Sequence, residues 1–153
     1  MDAISVPVTL WEIAGRLLLA TACGAAVGLN RERHGKPAGL RTHALVALGG
    51  ALFTVMGLLL RAEDAAATGR ILQGVTAGIG FIGAGVIMRR PDNRGVEGLT
   101  TAAAIWVVAA VGVAVGAGLW RTSMMGLGLT LAVLIAGEVA DHWLHARFPP
   151  ERD

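Results

Sequence analysis

The segments GLNRERHGKPAGLRTHALVALGG (Gly28–Gly50) and MRRPDNRGVEGLTTAAAIW (Met88–Trp106) decide how this chain is read. Each gathers several basic residues into a short run, and the chain from Gly24 to Leu119 is otherwise hydrophobic almost throughout. A water-soluble fold spreads its charge over every surface element. Lys and Arg confined to particular loops mark a multi-spanning membrane protein with a fixed orientation.

Composition agrees. Of 153 residues, 54% are apolar and only 16% are charged, too little charge for a soluble domain large enough to bury its own core. Of the 22 glycines, 17 fall inside apolar stretches, and each of those would cost a soluble helix about 1 kcal/mol against alanine. In a bilayer, small residues instead let helix backbones approach one another. The net charge is +2, and topology accounts for the arginines, so no nucleic-acid partner is expected. The lone Cys23 excludes an internal disulfide and reads as a small packing residue. MDAISVPVTLWE lacks a positive leading segment, so the first apolar stretch is expected to remain as a span.

Five stretches are long enough to cross about 30 Å of hydrocarbon at 1.5 Å per residue. They are Leu10–Leu29, Thr42–Leu60, Ile71–Met88, Leu99–Leu119 and Thr122–Leu144. Breaks fall at Gly35-Lys36-Pro37, Ala67-Thr68-Gly69 and Pro91-Asp92-Asn93, with a tight hairpin at Trp120-Arg121. The expected fold is an all-α transmembrane bundle, one domain over 1–145 with a short tail over 146–153. Arg31, Arg33, Lys36, Arg41, Arg89, Arg90, Arg94, Arg147 and Arg152 fall on one side, against Arg61, Arg70 and Arg121 on the other. That bias puts both basic loops and the C-terminus in the cytoplasm and the N-terminus outside. Trp11 and Trp120 then anchor the outer interface and Trp143 the inner one, while Trp106 is expected to pack between helices.

The basic loops resemble each other. At a shift of 59 residues, Gly24–Val46 lies over Gly83–Ile105 with eight of 23 positions identical, Arg31/Arg90, Gly39/Gly98, Leu40/Leu99 and Thr42/Thr101 among them. Spans one–two and three–four then read as two hairpins of the same topology, paired about an axis along the membrane normal.

Several motifs carry more than one reading. Gly78-Ile-Gly80-Phe-Ile-Gly83-Ala-Gly85 contains G-x-G-x-x-G, but inside an apolar span and outside any βαβ unit, so dinucleotide binding is rejected. Close helix packing is the better reading, and a broken helix lining a polar cavity the alternative. Gly24-x3-Gly28, Gly74-x3-Gly78 and Gly112-x3-Gly116 fit the packing picture. Arg41-Thr42-His43 and Thr100-Thr101 open spans two and four, where Thr42 caps a helix or the helix N-terminus meets an anion. Glu32, the one carboxylate of its loop, pairs with Arg41 or Arg90 or ligates a hydrated cation. Glu12 and Arg16 pair at i, i+4. Gln73 and Thr76 are placed to hydrogen-bond across helices. Glu138, Asp141, His142 and His145 share one helical stripe, a solvated face or a weak metal site. No catalytic triad, paired catalytic acids or phosphate loop is present, so no enzyme activity is expected.

Taken together, Gly28-Leu-Asn-Arg-Glu32, Lys36-Pro-Ala-Gly-Leu-Arg-Thr-His-Ala-Leu-Val46, Arg70 through Val86 and Gly98-Leu-Thr-Thr-Ala-Ala-Ala-Ile-Trp106 resemble the MgtC/SapB family. The resemblance covers about Leu10 to Leu119. It implies a bacterial inner-membrane protein of about five helices, linked to growth in low magnesium and to survival in host cells. It also implies regulation through other membrane proteins, the F-type ATP synthase and a small membrane peptide among them. The family motif maps onto Arg31, Glu32, Gly39, Arg41, Thr42, His43, Gln73, Gly78, Gly80, Gly83, Gly85, Thr100, Thr101 and Trp106. Asn30 stands where many members carry Glu, and Ala67-Thr68 where they carry Asp-Pro. The chain is expected to be a short form without the soluble C-terminal domain of virulence-type members. The reading is a modulator of magnesium homeostasis acting through helix contacts with itself or other membrane proteins, with no bound cofactor and magnesium as the sensed ion. Its alternative is a small magnesium transporter or channel.

Overall fold

A computed structural model describes residues 9–60, 65–89 and 95–147. Five helices make up the described chain: α1 (Leu10–Arg33), α2 (Leu40–Leu59), α3 (Ala65–Val86), α4 (Leu99–Gly116) and α5 (Trp120–Arg147). Between α3 and α4, β1 (Met88–Arg89) and β2 (Val96–Glu97) pair antiparallel over two residues each. Arg61, Arg90, Arg94, Arg152 and the Pro91-Asp92-Asn93 turn lie outside the described residues.

Helices α1, α2, α4 and α5 are long and apolar enough to cross a membrane. The expected fifth span, α3, has the length, at 22 residues, but its many glycines dilute its hydropathy. It also begins earlier than expected. Ala67-Thr68-Gly69, read as a break, lies inside α3, since a single glycine costs a helix only about 1 kcal/mol, which its other residues offset. The tight turn before α5 falls at residues 117–119, ahead of the expected Trp120-Arg121, which already belongs to α5; Gly118 sits in it at φ 79°, a left-handed conformation that glycine adopts without steric cost.

Neither expected threonine cap forms. The N-caps of α2 and α4 are Gly39 and Gly98, and neither supplies a side-chain bond. Thr42 and Thr101 sit one turn inside their helices. Gly98 is at φ 90°, and a Cβ there would lie 2.9 Å from the Val86 carbonyl carbon, so the α3–α4 connection requires glycine.

The core forms where α1, α2 and α4 meet. Glycine permits those contacts at backbone distance. A Cβ on Gly28 would fall 2.6 Å from Leu40 Cα, on Gly50 2.7 Å from Ala109 O, and on Gly116 2.7 Å from Ala51 O. Gly24 and Gly112 are equally close to the α2 backbone. Two of the three small-xxx-small pairs therefore pack as expected. The third does not: Gly74 and Gly78, like Gly80 and Gly85, have nothing within 4 Å of a Cβ position, and of this run only Gly83 meets a neighbour, Ala102. Cys23 is a free thiol in the core, as expected.

The internal repeat has structural counterparts. Gly24 packs on His43, and 59 residues on, Gly83 packs on Ala102. Gly50 packs on Ala109, its own equivalent. Helix α1 contacts α2 and α4, α3 contacts α4 and α2, and α2 contacts α4, so exchanging the hairpins reproduces the pattern. Ala47 faces Gly112 and Ala51 faces Gly116. Both numbers rise together along the crossing, so α2 and α4 run parallel, as two hairpins of equal topology require. Helix α5 lies outside the repeat, on α4 and α1.

Candidate functional site

The motif residues divide between two places. Arg31, Glu32, Gly39 and His43 gather where α1 turns into α2, at the end of the bundle that also carries the start of α4. Glu32 sits in the last turn of α1, and its Oε2 accepts the Leu40 N–H at 2.9 Å. One helix thus caps the next, which satisfies an α2 donor that Gly39 cannot reach. A Cβ on Gly39 would lie 2.8 Å from that same carboxylate oxygen. Neither Arg41 nor a cation is needed to explain Glu32.

Arg31 is almost fully buried, with a side chain 3% exposed. Its Nη1 lies 3.5 Å from Glu138 Oε1 on α5. The other carboxylate oxygen of Glu138 lies 2.8 Å from His34 Nε2, while His34 Nδ1 donates to Asn30 O at 2.6 Å. Glu138 therefore ties α5 to the end of α1 and to the loop after it. Removing the carboxylate would strand a guanidinium in a site with little water. Sequence reading set Glu138 in a stripe with Asp141, His142 and His145 and missed its partner, because contacts more than 100 residues apart leave no local signal. Among the described residues no three His, Cys, Asp or Glu side chains gather to hold a metal. The side chains of His142 and His145 lie outside them.

His43 is fully buried. Its Nδ1 faces Gly39 O at 3.0 Å. A carbonyl only accepts, so Nδ1 carries a proton, and Nε2 is buried with no hydrogen-bond partner among the described residues. Arg31 Nε and Asn30 Oδ1 are likewise buried with no hydrogen-bond partner among the described residues. Thr101 is buried at the start of α4, while Arg41 and Thr100 are exposed.

The second place is α3 and the cavity beside it. Gln73 is exposed. Thr76 Oγ1 donates to Leu72 O in its own helix at 2.8 Å, not across helices as expected. Thr21 and Thr54 bond back in the same way, to Leu17 O and Gly50 O. Trp106, expected between helices, is half-exposed and lines a cavity of about 400 Å³ with Thr54, Ile71, Val75 and Ala110.

At the opposite end, Glu12 and Arg16 form the expected pair. Arg16 also donates through Nη1 to Gly116 O at 2.7 Å. The guanidinium thereby caps the C-terminus of α4, where unpaired carbonyls and the helix dipole favour a cation.

A doubled helical hairpin with a fifth helix on one side, apolar outside and charged at its ends, is a multi-pass membrane protein. The MgtC family model matches residues 17–143, and the chain belongs to that family. It is 44% identical to SrpB of Synechococcus elongatus over 88% of this chain and 80% of SrpB. It is 44% identical to YhiD of Escherichia coli K12, a protein put forward by its name as a magnesium transporter, over 80% of this chain and 59% of YhiD. Identity to MgtC of Salmonella typhimurium is 42%, over 78% of this chain and 48% of MgtC. The chain thus spans only half to three fifths of YhiD and MgtC. No solved structure matches it.

Proposed function

We propose that this magnesium-related membrane protein modulates magnesium homeostasis through helix contacts with other membrane proteins, without carrying the ion itself and without acting as an enzyme. One observation carries the reading. The two described cavities beside α3 are lined mainly by Ile, Val, Leu, Ala and Gly, and Thr54 and Thr76 are their only lining side-chain oxygens among the described residues. Magnesium sheds its water reluctantly and takes a near-octahedral shell of oxygen ligands at about 2.0–2.1 Å, and two hydroxyls fall well short of that shell. The basic bias of the loops supports a bacterial inner-membrane location with Lys36 and the C-terminus in the cytoplasm and the N-terminus outside. A cysteine at Lys36 should react with impermeant reagent only in inside-out vesicles.

The rival is transport of the ion itself, favoured by the name of YhiD. Reconstituted liposomes separate the two. The expected magnesium flux equals that of empty liposomes. Robust flux abolished by Glu32→Ala and Gln73→Ala would overturn the proposal.

A further inference from the structure

Both ring nitrogens of His34 face acceptors. His34 is the C-cap of α1, its backbone N–H bonded back to Arg31 O, and Gly35 turns the chain there at φ 63°. That turn fixes where the ring can reach. Nδ1 donates at 2.6 Å to Asn30 O, one of the last four carbonyls of α1. Nε2 lies 2.8 Å from Glu138 Oε2 on α5. A carbonyl or an ionised carboxylate only accepts, and a neutral imidazole carries one N–H. The arrangement therefore holds one proton more than a neutral imidazole beside a carboxylate, whichever of the two groups carries it.

We infer that His34 and Glu138 form a proton-binding site that latches the C-terminal end of α5 to the end of α1. Opening to a neutral imidazole and an ionised carboxylate releases that proton to water. A fall in pH therefore closes the latch and a rise opens it, over the range of about pH 5–8 in which imidazole changes charge. The α1 C-terminus favours a cation on the ring, and Glu138 does so from α5. Against it stand Lys36, which lines a pocket of about 530 Å³ with His34 and Glu138, and Arg31, which reaches the other oxygen of Glu138 only at 3.5 Å. Glu32 is turned to the Leu40 N–H instead, and Asp141 lies exposed one turn beyond Glu138. Glu138 has leverage on its helix, because beyond Leu134 no described residue of α5 belongs to the core. The latch belongs to one hairpin, since the second carries Asn93, which does not titrate, in place of His34.

The test uses the whole chain in lipid nanodiscs, in a Cys23→Ala background, with spin labels on Arg33→Cys and Ala146→Cys, both exposed positions. Double electron–electron resonance should show one short distance at about pH 5.5, and the population at longer distance should rise at least about threefold by about pH 8. His34→Gln keeps a hydrogen-bonding side chain that never titrates, so its distances should not move with pH. His34→Lys stays charged over the whole range and should remain closed at about pH 8. His34 is half-exposed, so neither change disturbs the core. Wild-type distances that ignore pH overturn the inference. A pH response that survives in His34→Gln overturns it equally, since another group then carries the proton, as does a His34→Lys protein that opens at about pH 8 like the wild type. The readout is a distance, not magnesium, so it fails or holds separately from the flux experiment.

Discussion

Replacing Gly112 by alanine adds one methyl group at the parallel crossing of α2 and α4. That Cβ would lie 2.8 Å from Ala47 Cα and closer still to the Ala47 carbonyl. Carbon atoms rest at about 3.5–4.0 Å, so the two helices must part by roughly 1 Å. Neither side can yield by a rotamer change, because the obstacle is backbone. Overpacking of this kind costs about 1–3 kcal/mol. Gly78→Ala adds the same methyl group where nothing lies within 4 Å, so only its helix propensity changes, a gain of up to about 1 kcal/mol. Cys23, free and buried among α1, α2, α4 and α5 residues, is a built-in reporter, since a thiol-reactive dye labels it as the bundle opens. At about 2–4 °C per kcal/mol for a chain of this size, Gly112→Ala should melt roughly 2–12 °C below wild type. Gly78→Ala in dilute detergent, as a monomer, should not fall below wild type. A Gly112→Ala protein as stable as wild type, with Gly78→Ala the weaker of the two, would refute this order of packing.

Glu138→Gln should cost about 3–5 kcal/mol, the range for orphaning a buried charge. The double change Arg31→Met, Glu138→Leu should recover most of it, as thermal melts of both will check. Glu32→Ala removes the cap on Leu40 and should cost about 1 kcal/mol, equally with and without magnesium; a loss seen only with magnesium present would make Glu32 a cation ligand instead. Arg16→Met strips the cap from the α4 C-terminus and should loosen the Ala117–Leu119 turn, read as faster amide exchange at those residues.

The spans and the hairpin pairing were legible because they rest on local hydropathy, charge runs and a fixed 59-residue offset. Caps and partners were less so. Thr42 and Thr101 have the chemistry of caps, but the chain enters α2 and α4 through Gly39 and Gly98, three residues earlier. Glu32 fills the vacancy from the preceding helix, which the sequence marks only as a lone carboxylate in a basic loop. Trp106 and the Gly78–Gly85 run read as helix-packing residues because small residues let membrane helices approach closely and a deep tryptophan suits a helix interface. Lipid removes that inference, since an apolar face is satisfied without a partner. The Arg31–Glu138 contact spans 107 positions and has no periodic signature at all.

The two hairpins share a frame but not a chemistry. Arg31 has its equivalent in Arg90, yet Glu32 falls opposite Pro91, His34 opposite Asn93 and His43 opposite Ala102. Helix α5 then supplies Glu138 to the first hairpin. Among the described residues, the buried side-chain atoms without a hydrogen-bond partner, Arg16 Nε, Asn30 Oδ1, Arg31 Nε and His43 Nε2, lie on α1 and α2. In the core, orphaned polar atoms cost about 1–3 kcal/mol each, and the second hairpin carries Ala102 where the first carries His43. Glu138 joins Arg31 and His34 at this end of the first hairpin to the one described helix outside the repeat, so the Arg31–Glu138 contact is the place where α5 and the motif meet. On the proposed function, Glu138→Gln should therefore alter growth at low magnesium even in a background stabilised elsewhere. Wild-type growth from such a stabilised variant would reduce the cluster to a structural clasp.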